Sequence, residues 1–245
     1  MSEHEVQRML PTSGSLWPRA LSLAEHWDSS DGGHLPDLDG GERTVWSLID
    51  PDDPRCFRTQ LSELLEEIGS SHPDSLDSTV SIDESGGPVH IDAGAFIDPS
   101  TRFEGPCYVA PEAEVRHGAL VRAHTWVCYQ AVVGHASEVK HTLLLPNAKA
   151  PHFNYVGDSI LGSHCNLGAG CKLSNLRNDG MEVVVKVEDV ALESGLRKFG
   201  ALVGDRVQIG CNTVTNPGVI LAPDCMVRPN STVFGVHAVP GSDIR

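Results

Sequence analysis

The sequence has few aromatic residues and lacks any long apolar run. Phe, Trp and Tyr make up only 5% of its 245 residues, which suits a thin core without large rings. No stretch approaches the roughly 20 apolar residues that cross a bilayer, and no signal-peptide pattern is present. The seven cysteines contain no CxxC motif. We therefore expect a cytoplasmic chain with reduced thiols and no membrane partner.

Lysine is absent from residues 1–88. This region has 18 acidic residues against 5 arginines, a net charge of −13. Residues 89–245 carry 15 acidic and 13 basic residues, a net charge of only −2. The acidic excess argues against a nucleic-acid partner. An anionic ligand should bind to the second region, where most of the cations are.

Apolar residues recur at six-residue intervals along the second region. Positions six apart do not share one face of a helix, but they do fit the two-residue alternation of a strand. A small residue follows most of them four positions later, as a tight corner requires. The pattern predicts an all-β, parallel β-helix of hexapeptide repeats with three hexads per coil. The first series is Ile91, Ile97, Phe103, Val109, Val115, Val121, Val127, Val133, Val139 and Leu145.

The register resumes over residues 161–173 and 203–233, and the nineteen anchors together predict about six coils. We therefore divide the chain into an acidic segment, residues 1–88, and a β-helix domain, residues 89–245. Residues 57–68 show helical spacing that ends at Gly69. We expect this helix to cap the open end of the β-helix.

Two interruptions of the register are expected to be loops on the binding face. The first, residues 146–155, contains His152. The second, roughly residues 174–201, contains four cations, which are Arg177, Lys186, Arg197 and Lys198.

The residues around the first interruption carry a family resemblance. Residues 150–158 (APHFNYVGD) and 166–170 (NLGAG) resemble the acetyltransferase domain of bifunctional N-acetylglucosamine-1-phosphate uridylyltransferase/glucosamine-1-phosphate acetyltransferases. Residues 197–204 (RKFGALVG) look like the archaeal branch of these sugar-1-phosphate nucleotidyltransferase/acetyltransferases. The resemblance implies a left-handed helix and a homotrimer with active sites between subunits. It also implies N-acetyl transfer from acetyl-CoA to an amino-sugar 1-phosphate.

Residue roles follow from the same resemblance. His152 matches the general base, and a neutral imidazole with a pKa of about 6.5 suits removal of an amine proton. The other matches are Tyr155 and Asn166 for the amino sugar, Arg122, Lys140 and Lys198 for its phosphate, and Ala169 and Cys211 for acetyl-CoA. Cys211 stands where the family has Ser. Backbone N–H groups of residues 168–170 could bind the oxyanion, and the transfer requires no metal.

Simpler readings remain open for these residues. The cations could be solvated surface charges, Tyr155 could anchor a loop, and Cys211 could fill a corner. Asn154 stands where many relatives have Thr, so the acceptor pocket could differ. Residues 1–88 lack the glycine-rich nucleotide loop of the family, so sugar-nucleotide synthesis is not expected.

Other functions also remain open. One is a non-catalytic trimeric scaffold, or a sugar-phosphate-binding partner of a separate nucleotidyltransferase. Another is a zinc enzyme of the γ-carbonic anhydrase type, suggested by His117, His124, His135 and His141. A third is transfer of an acyl chain longer than acetyl.

Overall fold

The computed structural model describes residues 9–39 and 43–245, in which short parallel strands stack into a three-faced β-helix. The helices are α1 (Ser13–Leu16), α2 (Pro18–Ala24), α3 (Ser29–Gly32), a 3-10 helix (Val45–Ile49) and α4 (Phe57–Ile68). An antiparallel hairpin, β15 (Val184–Val187) and β16 (Val190–Glu193), lies outside the stack. The expected all-β parallel β-helix is confirmed.

Each face of the β-helix is a ladder of parallel strands. The first face contains β1 (Ser81–Asp83), β4 (Arg102–Glu104), β7 (Leu120–Val121), β10 (Glu138–Leu144), β12 (Tyr155–Leu161), β14 (Lys172–Leu173), β19 (Val214–Thr215) and β22 (Thr232–Val233). The second face contains β2 (Val89–Ile91), β5 (Cys107–Val109), β8 (Thr125–Val127), the later halves of β10 and β12, β17 (Ala201–Val203), β20 (Val219–Leu221) and β23 (Val236–His237). The third face contains β3 (Phe96–Ile97), β6 (Glu114–Val115), β9 (Val132–His135), β11 (Lys149–His152), β13 (Asn166–Leu167), β18 (Gln208–Ile209), β21 (Met226–Val227) and β24 (Asp243–Ile244).

The interior of the β-helix is a single column of branched and small side chains. Phe103, Val121 and Val139 are fully buried there, as the six-residue register predicts. All seven cysteines are free thiols, and only Cys211 is exposed. Among the described residues, the third face contains 8 strands, so the stack is longer than the six coils expected. The difference arises because residues 149–156, expected as a loop, belong to the wall, and because β1 and β24 extend the ladder.

Two coils are one residue shorter than the repeat predicts. Val127 pairs with Leu144, and Leu144 pairs with Leu161, so each of these coils has 17 residues. Leu144 therefore points into the interior, whereas Leu145 packs in the outer apolar cluster. The inward assignment of Leu145 is wrong, because two adjacent leucines hide a one-residue shortening from a periodicity argument.

The first interruption is therefore wall and not an inserted loop. Residues 149–152 form β11, which pairs with β9 on one side and β13 on the other. The second interruption does leave the stack, where it forms the β15–β16 hairpin. Val183, Val185 and Val187 are buried in the same outer cluster as the amino-terminal residues.

The amino-terminal segment covers the second face of the β-helix. The outward side chains of this face, such as Trp126, Leu143 and Ile160, pack with Trp17 and other residues of the segment. The indole of Trp17 donates to the carbonyl of Val203 at 2.9 Å. Burial of this apolar surface against the strands is what holds the segment in place.

Helix α4 lies on this lateral face instead of the open end, where we expected it. Its buried side chains, Phe57, Leu61 and Leu65, belong to the outer cluster. The first coil is covered by Leu76 and Val80, which pack against the interior column. The ladder itself begins at β1, before residue 89. Within the described residues, none of the helices has the length and apolar character of a bilayer-spanning segment.

Removing an interior side chain should destabilise the β-helix strongly. We expect Phe103→Ala to lower the free energy of unfolding by about 3–5 kcal/mol, because the column cannot collapse around the cavity. Phe96→Ala, at a neighbouring side chain that is 62% exposed, should change it by less than about 0.5 kcal/mol. Urea unfolding of both variants measures the difference. Equal losses would contradict the assignment of Phe103 to the interior.

Candidate functional site

All the predicted site residues except Asn166 lie at or near two different corners of the β-helix. The corner between the first and second faces borders a cavity of about 490 Å³, here called the corner cavity. Its lining residues are Asp50, Pro51, Asp52, Arg58, Glu104, Arg122, Ala123, His124, Lys140, His141, Asp158, Gly195, Leu196, Arg197 and Lys198. The β-helix, the amino-terminal segment and the second interruption thus all contribute residues to the cavity lining.

The shortened coils determine the shape of this corner. Strands β10 and β12 run through it without a break, and one residue in each has a positive φ, 43° at His141 and 49° at Asp158. Such values are uncommon outside glycine and carry a local cost. The tight turn places the side chains of successive coils beside each other at the cavity wall.

Asp158 is the centre of a buried polar network. It accepts a hydrogen bond from His141 Nδ1 at 2.9 Å and another from the side-chain amide of Asn175, and Lys140 Nζ lies 3.5 Å away. Burial by itself would raise the pKa of Asp158. The hydrogen bonds from His141 and Asn175 and the Lys140 charge outweigh burial, so the pKa lies below 3.8. Asp158 is therefore an ionised carboxylate, 4% exposed, that orients the His141 ring.

The three predicted phosphate-binding cations all line the corner cavity, but in different states. Arg122 Nη1 is 2.8 Å from a Glu138 oxygen and Arg122 Nε is 3.5 Å from Glu104, so carboxylates already neutralise it. Burial lowers the pKa of Lys140, although Asp158 opposes this. Lys198 is exposed and has no ion pair within the described residues. Lys140 and Lys198 are therefore better placed than Arg122 to bind an added anion.

Two histidines in the cavity wall have ring nitrogens without partners. His141 Nε2 and His124 Nδ1 are both buried and make no hydrogen bond within the described part of the chain. Burial, helped by the charge of Arg58, lowers the pKa of His124 to about 4, so its ring is neutral at pH 7. Buried polar groups without partners are costly, so these two nitrogens call for an explanation.

Tyr155 lies on the first face but reaches toward the same corner. Its hydroxyl donates to Asn175 Oδ1 at 3.4 Å, and Asn175 in turn binds Asp158. Burial raises the pKa of this phenol. Tyr155 thus contributes to the polar network behind the corner cavity.

His152, Ala169 and Cys211 stack at the other corner, between the third and first faces. The Gly170 N–H donates to the His152 carbonyl at 3.0 Å, and the Asn212 N–H donates to the Ala169 carbonyl at 2.9 Å. The side chain of His152 is exposed, and so is that of Cys211. These three residues stack one above another at the corner, where the N–H groups of Gly168, Gly170 and Asn212 already donate to carbonyls of neighbouring coils.

Asn154 fixes the turn at His152. Its side-chain oxygen accepts from the His152 N–H at 3.0 Å, and its amide donates to the Gly168 carbonyl at 2.8 Å. Because Asn154 is 2% exposed, its own role here is to hold the corner together. Asn166 lies apart from both groups on the third face, half-buried on β13.

A single protomer therefore separates the predicted residues into two sets. Arg122, Lys140 and Lys198 share the corner cavity, with Tyr155 behind it, whereas His152 does not line that cavity. The four histidines that suggested a zinc enzyme also lie in two pairs. His117 stacks on His135 at one corner, and His124 contacts His141 at the other. Among the described residues, no group of three or more His, Cys, Asp or Glu side chains could hold a metal.

Sequence reasoning missed several residues of the corner cavity. Asp158 had no predicted role, and His141 was named only as a possible zinc ligand, because their partnership depends on the shortened coils, which periodicity did not reveal. Arg58 comes from a segment to which no chemistry was assigned. Of the four cations in the second interruption, Arg197 and Lys198 line the cavity, and the other two do not.

A parallel β-helix of six-residue repeats with a cation-bearing corner defines the chain as a hexapeptide-repeat protein. Residues 103–198 match the family model described as the GMPPB C-terminal domain. The chain is 35% identical over 172 residues to the bifunctional protein GlmU of Methanococcus maripaludis, a match covering 70% of this chain and 41% of that protein. It is also 35% identical over 155 residues to the bifunctional sugar-1-phosphate nucleotidylyltransferase/acetyltransferase of Sulfurisphaera tokodaii, covering 56% and 39%.

These matches confirm the family resemblance found in the sequence. The chain spans about two fifths of the length of these curated relatives. A solved structure, a putative acetyltransferase from Bacillus cereus, is similar with a TM-score of 0.39 at 13% identity, covering 68% of this chain and 75% of that one.

The ionised Asp158 should make stability depend on pH. A carboxylate whose pKa is lowered by folding stabilises the fold above its unfolded value, and this contribution disappears as pH falls through the folded value. At pH 7, Asp158→Asn should therefore lower the free energy of unfolding by about 1–3 kcal/mol relative to the wild type. The variant should accordingly unfold at a lower temperature. The gap should narrow as pH falls below 3.8.

Thermal unfolding from pH 7 to pH 3 measures this gap. Asp74→Asn, at an exposed position, is the matched control and should follow the wild type throughout. A gap of constant size over the whole range would contradict an ionised Asp158.

Proposed function

We propose that the chain transfers acetyl from acetyl-CoA to the amine of an amino-sugar 1-phosphate of the glucosamine 1-phosphate type. The observation that supports this most directly is the mixed charge of the corner cavity. Lys140 and Lys198 suit a phosphate group, while Asp52, which has no ion pair within the described residues, suits an ammonium group on the same ligand. An amino-sugar phosphate carries both charges on adjacent carbons.

The relatives point to the same chemistry. The Sulfurisphaera tokodaii protein is named as a sugar-1-phosphate nucleotidylyltransferase and acetyltransferase. Residues 103–198, which match the family model, contain most of the corner cavity and all of the His152 corner except Cys211. The reaction proposed for this chain is the acetyl transfer of such enzymes.

In the proposed reaction, His152 accepts the proton that the amine loses as its nitrogen attacks the thioester carbonyl. The carbon–sulfur bond then breaks, and CoA leaves as a thiol after taking up a proton. The N–H of Ala169 would stabilise the oxyanion, because those of Gly168 and Gly170 already donate to the carbonyls of Ile209 and His152. Cys211 lies at the same corner, where it would contact the CoA chain. Asn166 on the third face and Tyr155 on the first face are the residues proposed to contact the amino sugar.

We propose a homotrimer because His152 does not line the cavity of its own protomer. The second face is covered by the amino-terminal segment, so the two remaining faces are free to meet other copies. A copy that places its His152 corner against the corner cavity of its neighbour would complete the site.

The same separation supports a second candidate function. A chain that binds sugar phosphates in the corner cavity without transferring acetyl would need no contact between His152 and the ligand. Such a binding module could serve a separate nucleotidyltransferase. Acetyl transfer is the preferred function, and an assay of thiol release separates the two.

Replacing the proposed base should lower turnover and leave binding largely intact. We expect His152→Gln to reduce kcat for thiol release from acetyl-CoA with glucosamine 1-phosphate by about 100-fold or more. His135→Gln, one coil away at the same corner, is the matched control and should keep wild-type activity. Wild-type kcat in His152→Gln would contradict the base, and no release by the wild type would favour the binding module.

Removing a cavity cation should weaken binding of the phosphate. Lys198→Met should raise KM for glucosamine 1-phosphate about tenfold, because one charged hydrogen bond to the phosphate is lost. Lys186→Met in β15, which does not line the cavity, should leave KM unchanged. The measurement is the substrate dependence of thiol release, and equal KM values for the two variants would contradict the assignment of Lys198.

A further inference from the structure

The His141–Asp158 pair has no part in the proposed reaction, in which His152 is the base. The Asp158 carboxylate accepts from His141 Nδ1 at 2.9 Å, so the tautomer that this bond selects has its proton on Nδ1 and a lone pair on Nε2. That nitrogen is buried and has no partner within the described residues. The His141 residue is 8% exposed, and it lines the corner cavity.

The ring is held firmly in this orientation. Phe57 of the amino-terminal segment packs against the imidazole, with the ring centroids 5.0 Å apart. Asn175 and Lys140 bind Asp158 from other sides. An imidazole fixed from behind by a carboxylate and from the side by an aromatic ring presents one hydrogen-bond acceptor in one direction.

A second buried nitrogen lies close by. The His124 ring centroid is 6.2 Å from that of His141, and His124 Nδ1 also has no partner among the described residues. Two such groups in one wall, beside Lys140, match a ligand that offers hydroxyl or amine hydrogens next to an anionic group.

We propose that His141 is a specificity-determining residue of the corner cavity. Its Nε2 accepts a hydrogen bond from the amine or hydroxyl on the carbon adjacent to the phosphate-bearing carbon of a sugar phosphate, while Lys140 and Lys198 bind the phosphate. This inference rests on the proposed function in taking the ligand to be a sugar phosphate. Asp158 is the positioning residue that fixes the ring tautomer. The amino-terminal segment, through Phe57 and Arg58, becomes part of the acceptor site.

Two conservative variants separate recognition from a structural role. His141→Asn keeps an amide N–H near the Nδ1 position for Asp158 but has no atom at the Nε2 position. His141→Gln places a carbonyl oxygen near the Nε2 position but provides no donor at the Nδ1 position. If His141 only supported Asp158, the Asn variant would behave like the wild type and the Gln variant would not.

The experiment is calorimetric titration of the full chain with glucosamine 1-phosphate, 2-deoxyglucose 1-phosphate and inorganic phosphate. We expect His141→Asn to bind glucosamine 1-phosphate about tenfold or more weakly, and His141→Gln to retain most of the affinity. The 2-deoxy sugar, which has no donor at that carbon, and phosphate should bind equally to all three proteins. His135→Asn, at the exposed corner, should match the wild type for every ligand.

Three results would overturn the inference. These are wild-type affinity in the Asn variant, equal loss for all three ligands, and no binding of glucosamine 1-phosphate to the wild type. Thiol release measured on the same proteins separates the two proposals. If the proteins show the expected binding pattern but no acetyl transfer, only the proposed function is contradicted. If acetyl is transferred and the Asn variant binds with unchanged affinity, only the role of His141 is contradicted.

Discussion

The hydrogen-bonded register between successive coils is the constraint on which the rest of this structure depends. Each strand must lie opposite the strand one coil earlier, so an inward residue always stacks on another inward residue. Because Leu144, and not Leu145, pairs with Val127 of the previous coil, the chain turns the corner with one residue fewer than in an 18-residue coil. The turn tightens at His141 and again at Asp158 in the next coil. A packing rule of the interior thus shapes the polar wall of the corner cavity.

The fold could be predicted from the sequence because the interior repeats. Val121, Val133 and Val139 occupy equivalent places, and a fixed six-residue period has only one simple structural explanation. The shortening at Leu144 could not be predicted, because Leu145 satisfies the period equally well in sequence. The lateral position of α4 was also hidden, since its apolar stripe shows that it packs on something and does not show on what.

Several residues of the candidate site could be named from the sequence, but their positions relative to one another could not. The family motif pointed to His152, and the cations Lys140 and Lys198 do share a cavity. These cations and His152 lie at different corners of the β-helix, and the motif does not show which corner each residue occupies. Asp158 was part of the quoted motif, but its partnership with His141 depends on two coils stacking in register. Contacts across coils are the part of a solenoid that a linear motif describes least.

The bond between Trp17 and Val203 has a consequence for the order in which this chain matures during synthesis. The two residues are 186 positions apart, so Trp17 cannot dock until the coil that contains Val203 has been synthesised. Until then, Leu16 and Trp17 remain without the surface that buries them in the finished molecule. The coils can add one upon another as they emerge, whereas the layer that contains Trp17 must wait for the later coils on which it packs. Residues 1–88 carry a net charge of −13, and a net charge of this size favours the solubility of a segment that docks late.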